Sequence, residues 1–223
     1  MPTDNSDHHV QSAHTIARED LANLPLRRHD GTVHIVATSQ AMTHAMADIR
    51  QQHVVGFDTE TRPAFRQGER YLPSLAQIAT ANAVYILMLR AHEVLPGLAE
   101  LLQAPHIAKA GVALAHDLRM LREVVAFAEH SVIDLGFVAR RNGCKQTGVR
   151  NLAGLFLGYR IPKGARTTNW AASRLTPAQI AYAATDAWVC RELHLEFETK
   201  GWIDKQSGAS GLDPRAARGL SSA

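Results

Sequence analysis

Two acidic residues close an apolar run in the stretch VVGFDTET, residues 54–61. The run has the length and apolar content of a buried β-strand, so Asp58 and Glu60, two positions apart, project from the same face of it. Two carboxylates held this close repel each other, and burying an ionised carboxylate is costly unless a partner compensates its charge. A divalent cation would be such a partner. An exposed turn with Arg62 as the counter-ion is the alternative, and this stretch alone does not separate the two.

A third acid, Asp186, lies in a segment with the pattern of a long final helix. One stripe of that helix holds Tyr182, Asp186, Val189, Leu193 and Phe197. Apolar residues surround Asp186 on nearly all sides in AYAATDAWVC, so a small rotation of the helix would not easily bring it to solvent. The pattern therefore favours a functional acid. Tyr182, one turn earlier on the same face, is placed to orient a water or to act as a general base.

A fourth acid, Asp117, follows the apolar stretch AKAGVAL at the start of a predicted helix. The stripe that it opens continues through Leu121, Val124 and Ala128. An acid in the first turn of a helix interacts favourably with the helix dipole without any ligand. Taken alone, Asp117 is therefore explained more simply as a helix-start acid than as a metal ligand.

These residue types define the chemistry that a shared site could support. An all-carboxylate cluster suits Mg²⁺ or Mn²⁺ and disfavours a zinc hydrolase. Two such ions about 3.5–4 Å apart activate a water and stabilise the leaving oxygen in phosphodiester hydrolysis. This chemistry needs no protein nucleophile, and the sequence has no Ser/His/Asp arrangement, no GxSxG and no P-loop. Two divalent ions, Mg²⁺ or Mn²⁺, are the expected cofactors.

Strand and helix patterns alternate in the first half of the chain, where they would position these acids. Strands are predicted within residues 32–39, 54–60, 75–89 (two strands around a turn at Ala81 and Asn82) and 106–114, and helices within residues 39–52, 92–105 and 115–130. Residues 61–73 are predicted to form a loop. From Val132 onward the pattern is mainly helical, and the last helix runs from Pro177 to about Lys200. This order predicts an α/β fold with a mixed central β-sheet flanked by α-helices.

Several residues occupy positions typical of helix caps. Ser39 and Asp134 are predicted N-caps, because their side chains can accept a hydrogen bond from the first turn. Thr176, followed by Pro177 and Gln179, has the pattern of a capping box.

Composition sets the broad class of protein. The 223 residues are 46% hydrophobic, and the net charge of +3 is compatible with a polyanionic partner without indicating one. We predict a single domain at residues 21–202, between a disordered arm at residues 1–20 and a flexible tail at residues 203–223. The sequence has no apolar run that would span a membrane, no secretory signal and only two cysteines. A cytoplasmic protein without a membrane partner is expected.

Three segments together resemble a known family. DTE at residues 58–60, GVALAHD ending at Asp117, and YAATD at residues 182–186 resemble the three motifs of the DEDDy 3′→5′ exonucleases, in particular the Werner-type and ribonuclease D-like branch. The resemblance runs from about Val36 to Leu195 and includes LAQIAT, GVRNLAGLFLG and NWAASRLTPAQIAYAATDAW. Relatives often carry Ser two residues before the Trp, where this chain has Thr168 and keeps the hydroxyl.

The resemblance implies a ribonuclease H-like fold and a set of roles. Asp58 would bridge both metal ions, and Glu60 and Asp186 would complete the tighter metal site. Asp117 would hold the second ion, partly through water. Tyr182 would position the attacking water.

A nuclease must also hold its substrate, and two loops offer suitable side chains. The loop after the first acids carries Arg62, Phe65 and Arg66, followed by Arg70 and Tyr71, a mixture suited to phosphate contact and base stacking. Lys163 and Arg166, before Trp170, are similar candidates. An ordinary polar loop with its aromatic residues turned inward is the alternative for each, and packing is the expected role of Trp170.

The leading hypothesis is a metal-dependent 3′→5′ exonuclease whose partner is nucleic acid with a free 3′ end, single-stranded or a short overhang. The first alternative is a catalytically silent nucleic-acid-binding module of the same fold. The second is a small-molecule phosphatase. The sequence leaves open the choice among DNA, RNA and short oligonucleotides, because recognition of the 2′-OH depends on pocket geometry. It also leaves open the oligomeric state.

Overall fold

The structure, a computed structural model, describes residues 14–164 and 168–204. Within these ranges the strands are β1 (Val33–Val36), β2 (Val54–Glu60), β3 (Leu75–Ala79), β4 (Val84–Met88), β5 (Ala108–Gly111) and β6 (Val132–Asp134). They form one sheet in the order β1-β4-β3-β2-β5-β6. The central strands β2, β3 and β4 are antiparallel neighbours, whereas β1, β5 and β6 pair parallel to their neighbours. The predicted mixed sheet is confirmed.

Helices flank the sheet. The α-helices of the described residues are α1 (Arg18–Asn23), α2 (Ser39–Ile49), α3 (Leu95–Gln103), α4 (Leu114–Leu121), α5 (Leu135–Arg141), α6 (Val149–Leu152) and α7 (Pro177–Thr199). A short 3-10 turn, His92–Val94, precedes α3, and a wide π-type turn, Ala153–Leu157, follows α6. No helix in the described ranges combines the length and the apolar character that crossing a membrane requires.

The helix caps agree with the sequence at two positions and differ at one. Asp134 caps α5 by accepting a hydrogen bond from the Phe137 amide at 3.1 Å, and Thr176 with Gln179 forms the predicted capping box of α7. The prediction for α2 was wrong by one residue. Its N-cap is Thr38, whose side chain accepts from the Ala41 amide, because the helix begins at Ser39 itself.

Two predicted elements differ from the structure. The helix predicted over residues 115–130 ends at Leu121, where two consecutive β-branched residues, Val124 and Val125, follow and disfavour further helix. An ion pair between Arg122 and Glu129 links the two ends of the segment that follows α4. Residues 132–134, at the start of the region predicted to be mainly helical, form β6 beside β5, because three buried residues are too few to show a strand period.

The two faces of the sheet pack against different helices. One face, with Phe57 and Ile78, packs against apolar residues of α2, α3 and α4. The other face packs against α7, which lies so close to β2 that a Cβ at Gly56 would stand 1.9 Å from the Ala187 carbonyl oxygen. Glycine is therefore required there, and the sheet and the long final helix come together at the strand that ends with the acids.

The chain ends of the domain are described only in part. Helix α1 begins at Arg18, inside the segment expected to be an arm, and the Ile16 amide donates to the Gln146 side chain at 2.9 Å. Residues 1–13 and 205–223 lie outside the described residues. The arm and the tail therefore remain predictions.

Candidate active site

The structure brings three of the predicted acids together. Asp58 and Glu60 leave the same face at the end of β2, and Asp186 reaches them from α7. One carboxylate oxygen of each lies within 4.8 Å of one of each of the others. Asp186 is buried, whereas Asp58 and Glu60 are half-buried and keep an opening toward solvent. We call these three residues the acid cluster.

The charges of the acid cluster are mutually unfavourable. Burial raises the pKa of Asp58 well above its usual range, and the neighbouring charges of Asp186, Glu60 and Asp117 raise it further. A cation among the three side chains would remove this penalty. Carboxylate oxygens without sulfur or imidazole ligands are the donor set of hard divalent ions, so the residues present fit Mg²⁺ or Mn²⁺.

Tyr182 lies beside the acid cluster, one turn before Asp186. Burial raises the pKa of its hydroxyl, and the charge and hydrogen bond of Asp186 raise it further. The hydroxyl is therefore protonated at neutral pH and suits a role in orienting a water better than a role as a base. The ring is held by Trp170, with ring centroids 6.0 Å apart, and by Gly164, where a Cβ would stand 1.5 Å from the Tyr182 Cε2.

Asp117 lies near the acid cluster but is held from another direction. Its Oδ1 accepts a hydrogen bond of 2.6 Å from the Thr59 hydroxyl. Because side chains alternate along a strand, Thr59 points away from the face that carries Asp58 and Glu60. Burial raises the pKa of Asp117, and the Thr59 hydrogen bond opposes that change. The Asp117 charge contributes to the raised pKa of Asp58, which places the fourth acid within electrostatic reach of the other three.

Gln77 is a residue next to the site that was not predicted from the sequence. It lies directly opposite Asp58 in the antiparallel pairing of β2 and β3, and its side chain is completely buried. Neither atom of its amide group has a hydrogen-bond partner among the described residues. A polar residue inside the otherwise apolar strand LAQIA is the signal that would have found it.

In the loop after β2, some charged and aromatic side chains make contacts within the protein and others are exposed to solvent. Arg70 pairs with Glu123 and so anchors the loop to the residues after α4. Arg62, offered above as a counter-ion of the acids, instead places its guanidinium 4.1 Å from the ring centre of Tyr71. Phe65 is 77% exposed, and Arg66 beside it is also exposed. An inward-turned aromatic is thereby excluded for Phe65.

The second loop lies against α7. Lys163 is exposed next to Gly164, and Arg166 lies outside the described residues. Trp170 is fully buried, which confirms its expected packing role. The Thr168 hydroxyl accepts a hydrogen bond of 3.1 Å from the Gln179 side chain, so this hydroxyl ties the loop to the first turn of α7.

The family model of the 3′-5′ exonucleases matches residues 33–202, and the chain belongs to this family. It is 30% identical over 200 residues to the exonuclease mut-7 homolog of Homo sapiens, covering 77% of this chain and 23% of that protein. It is also 30% identical over 178 residues to ribonuclease D of Gluconacetobacter diazotrophicus, covering 76% of this chain and 44% of that protein. The chain thus spans less than half the length of these curated relatives.

Solved structures share the fold. The Nibbler EXO domain of Aedes aegypti matches with a TM-score of 0.70 at 23% identity, covering 81% of this chain and 95% of that one. Escherichia coli RNase D matches with a TM-score of 0.67 at 22% identity, covering 77% of this chain and 47% of that one. The predicted ribonuclease H-like fold is confirmed.

Proposed function

We propose that this chain is a metal-dependent 3′→5′ exonuclease that removes nucleotides from the 3′ ends of single strands or short overhangs. The observation that carries the proposal is the acid cluster of Asp58, Glu60 and Asp186 beside the protonated hydroxyl of Tyr182. These four residues lie inside the part of the chain that the 3′-5′ exonuclease family model matches. An exposed polar turn would leave the acids apart and would give Asp186 no reason to be buried.

The proposed cofactors are two divalent ions, Mg²⁺ or Mn²⁺. Asp58, Glu60 and Asp186 would hold one ion, and Asp58 with Asp117 would hold the other. When bound, the ions supply positive charge that eases attack of water on phosphorus and stabilises the departing 3′ oxygen. Among the residues that the structure describes, no histidine or cysteine joins the acid cluster, in keeping with ions that prefer oxygen.

The protein side chains have complementary parts in the reaction. Tyr182 would orient the attacking water through its hydroxyl, because the raised pKa keeps the proton on the oxygen. Asp186, hydrogen-bonded to that hydroxyl, fixes the direction in which it points. The packing of Gly164 and Trp170 against the ring removes alternative positions for it. Pre-arrangement of this kind is how a site lowers the entropic part of a barrier.

The proposed substrate contacts are the exposed side chains around the acids. Phe65 offers a ring for base stacking, Arg66 and Lys163 offer charges for phosphates, and Arg62 sits on Tyr71 beside the acids. Arg166 remains a candidate from the sequence. A Trypanosoma brucei RNase D of the same fold was solved in complex with RNA U12, which supports a nucleic-acid partner without deciding between RNA and DNA here.

The direct test is digestion of matched DNA and RNA oligonucleotides, labelled at the 5′ end, with Mg²⁺ or Mn²⁺. We expect stepwise shortening from the 3′ end that stops with chelator and in the Asp58→Ala variant. Shortening that survives both changes would overturn the proposal. Tight binding of the oligonucleotides without any cleavage would instead support the catalytically silent binding module, and activity on phosphomonoesters alone would support the phosphatase.

A further inference from the structure

A cavity of about 800 Å³ lies between the N-terminal segment and the segments around α6. We call it the basic cavity. One wall is formed by α1 and the residues that follow it, and the other by residues of α6 and by residues 160–163. The two walls are joined by main-chain hydrogen bonds between Arg160 and both Pro25 and Arg27, at 3.0 and 2.9 Å. It is thus built from segments more than 100 positions apart in sequence.

The charge of the basic cavity is one-sided. Its lining includes five cationic side chains and no acidic one: Arg18, Arg28, Arg150, Arg160 and Lys163. Within the ranges that the structure describes, none of the five pairs with a carboxylate. Cations gathered in a concave surface without counter-ions raise the local concentration of anions.

One of these cations has a buried nitrogen without a partner, and another is fixed in direction by a hydrogen bond. The Arg150 Nε is buried and has no hydrogen-bond partner among the described residues. Arg160 donates its Nε to the Leu24 carbonyl at 3.0 Å, which uses one donor and leaves the terminal nitrogens of the guanidinium for a ligand. A guanidinium held in this way loses little side-chain entropy on binding a phosphate, and its planar donors match phosphate oxygens.

Each wall of the basic cavity contains a residue whose next neighbour in sequence contacts α7. Lys163 on one wall immediately precedes Gly164, which lies against the ring of Tyr182. Arg28 on the other wall precedes His29, whose amide donates to the Thr185 hydroxyl at 3.1 Å. Positions 182 and 185 are three apart and lie on one side of the helix. Each wall of the basic cavity is therefore one residue away from a contact with the part of α7 that carries Tyr182.

We propose that the basic cavity binds backbone phosphates of a single nucleic-acid strand whose 3′ end occupies the active site. This inference rests on the proposed exonuclease function and assigns the path of the strand beyond it. The apolar lining residues Leu21 and Leu26, which are partly exposed and exposed, give sugars and bases a surface to contact. A site that reads only charge and backbone binds without sequence preference, as a nuclease that shortens strands requires.

The binding test uses the full chain with chelator, so that no cleavage occurs. Arg18→Gln/Arg28→Gln removes two exposed cavity charges, and Arg50→Gln/Arg141→Gln is the matched control, because it removes two exposed charges elsewhere. We expect the cavity variant to bind a labelled single strand of about 20 nucleotides about tenfold more weakly. Its plot of log affinity against log salt should become shallower by about 0.7 for each lost phosphate contact. Equal losses in the two double variants would overturn the proposal.

Cleavage of long and short substrates separates this inference from the function on which it rests. With metal present, kcat/KM is measured for a strand of about 20 nucleotides and for a strand of about 3. The ratio of the first value to the second should fall about tenfold in the cavity variant, because the short strand cannot reach from the active site to the basic cavity. An unchanged ratio, with both substrates still cleaved, would overturn the cavity proposal and leave the exonuclease standing. No cleavage of either by the unmodified chain would overturn the exonuclease, while the salt dependence of binding would still report on the cavity.

Discussion

The Thr59 hydroxyl donates a 2.6 Å hydrogen bond to the carboxylate of Asp117. Thr59 stands between Asp58 and Glu60 in the sequence and points to the opposite face of β2, so one strand end fixes acids on both sides. Asp58 and Glu60 contribute their own carboxylates, and Thr59 orients the carboxylate of a helix that packs on the other face. The motif Asp58-Thr59-Glu60 therefore contributes two acids and orients a third, Asp117.

This relationship predicts an effect of Thr59→Val on metal use. Loss of the hydroxyl removes the hydrogen bond that opposes the raised pKa of Asp117, and the carboxylate also loses its direction. Outer partners of metal ligands typically change metal affinity 10- to 100-fold, so we expect the Mn²⁺ concentration for half-maximal activity to rise about tenfold. A metal titration of nuclease activity measures this. Thr59→Ser keeps the hydroxyl and should need the same Mn²⁺ concentration for half-maximal activity as the unmodified chain. If it needs as much Mn²⁺ as the valine variant, loss of the hydrogen bond does not explain the change in metal affinity.

Tyr182→Phe should lower kcat by about 100-fold, a typical contribution of a positioned proton-bearing group. KM and thermal stability should change little, because the ring and its packing against Trp170 remain. Steady-state kinetics on a single-stranded oligonucleotide measure the effect. Tyr159→Phe is the matched control, since it also removes a buried hydroxyl, one that has no hydrogen-bond partner in the described ranges. Equal activity of the two variants would contradict the role given to Tyr182.

Gly164→Ala should displace the Tyr182 ring. An added Cβ would lie 1.5 Å from Cε2 and 2.0 Å from Cζ of that ring, so the ring or the loop must move. We expect a loss of kcat close to that of Tyr182→Phe, and little further loss when the two substitutions are combined, because both act on one hydroxyl. Gly148→Ala is the control, since its added Cβ would contact nothing within 4 Å. Fully additive losses would show that the glycine acts elsewhere.

The features that were predicted correctly follow from short local patterns in the sequence. The apolar run with two acids predicted the face shared by Asp58 and Glu60, and the helical stripe predicted that Tyr182 and Asp186 point together, because both follow from the local period of the chain. The bond between Thr59 and Asp117 was not predictable, since it depends on the angle at which α4 follows β5. Strand β6 was missed because its three residues acquire their identity from pairing with β5.

Features built from distant segments of the chain were not predictable from its local sequence patterns. Gln77 becomes notable only when the β2–β3 register places it opposite Asp58. The cations of the basic cavity come from segments more than 100 positions apart, and no local pattern relates Arg18 to Arg160. Such long-range relationships are tertiary, and periodicity in a single sequence carries no information about them.

Because of the buried side chain of His194, the folded protein should lose stability in mild acid. Burial, together with the nearby charges of His53 and Arg191, lowers its pKa to about 4. Its Nδ1 lies 3.9 Å from a Glu198 oxygen, too far for a hydrogen bond, so the ring is buried in its neutral form. The unfolded chain takes up a proton near pH 6.5 and the folded chain only near pH 4, so the contribution of His194 to stability is complete above pH 6.5 and is lost as the pH falls toward 4.

The matching variant is His194→Phe, which keeps an aromatic ring of similar shape and cannot be protonated. Between about pH 7 and about pH 5, the unmodified chain should lose about 2 kcal/mol more of its free energy of unfolding than the variant does. Urea unfolding at the two pH values measures the difference, and the comparison cancels other titrating groups, among them Asp58, whose raised pKa acts in the opposite direction. His106→Gln removes an exposed histidine and should leave the pH dependence unchanged. The same pH dependence in the phenylalanine variant and in the unmodified chain would show that His194 is not buried in its neutral form.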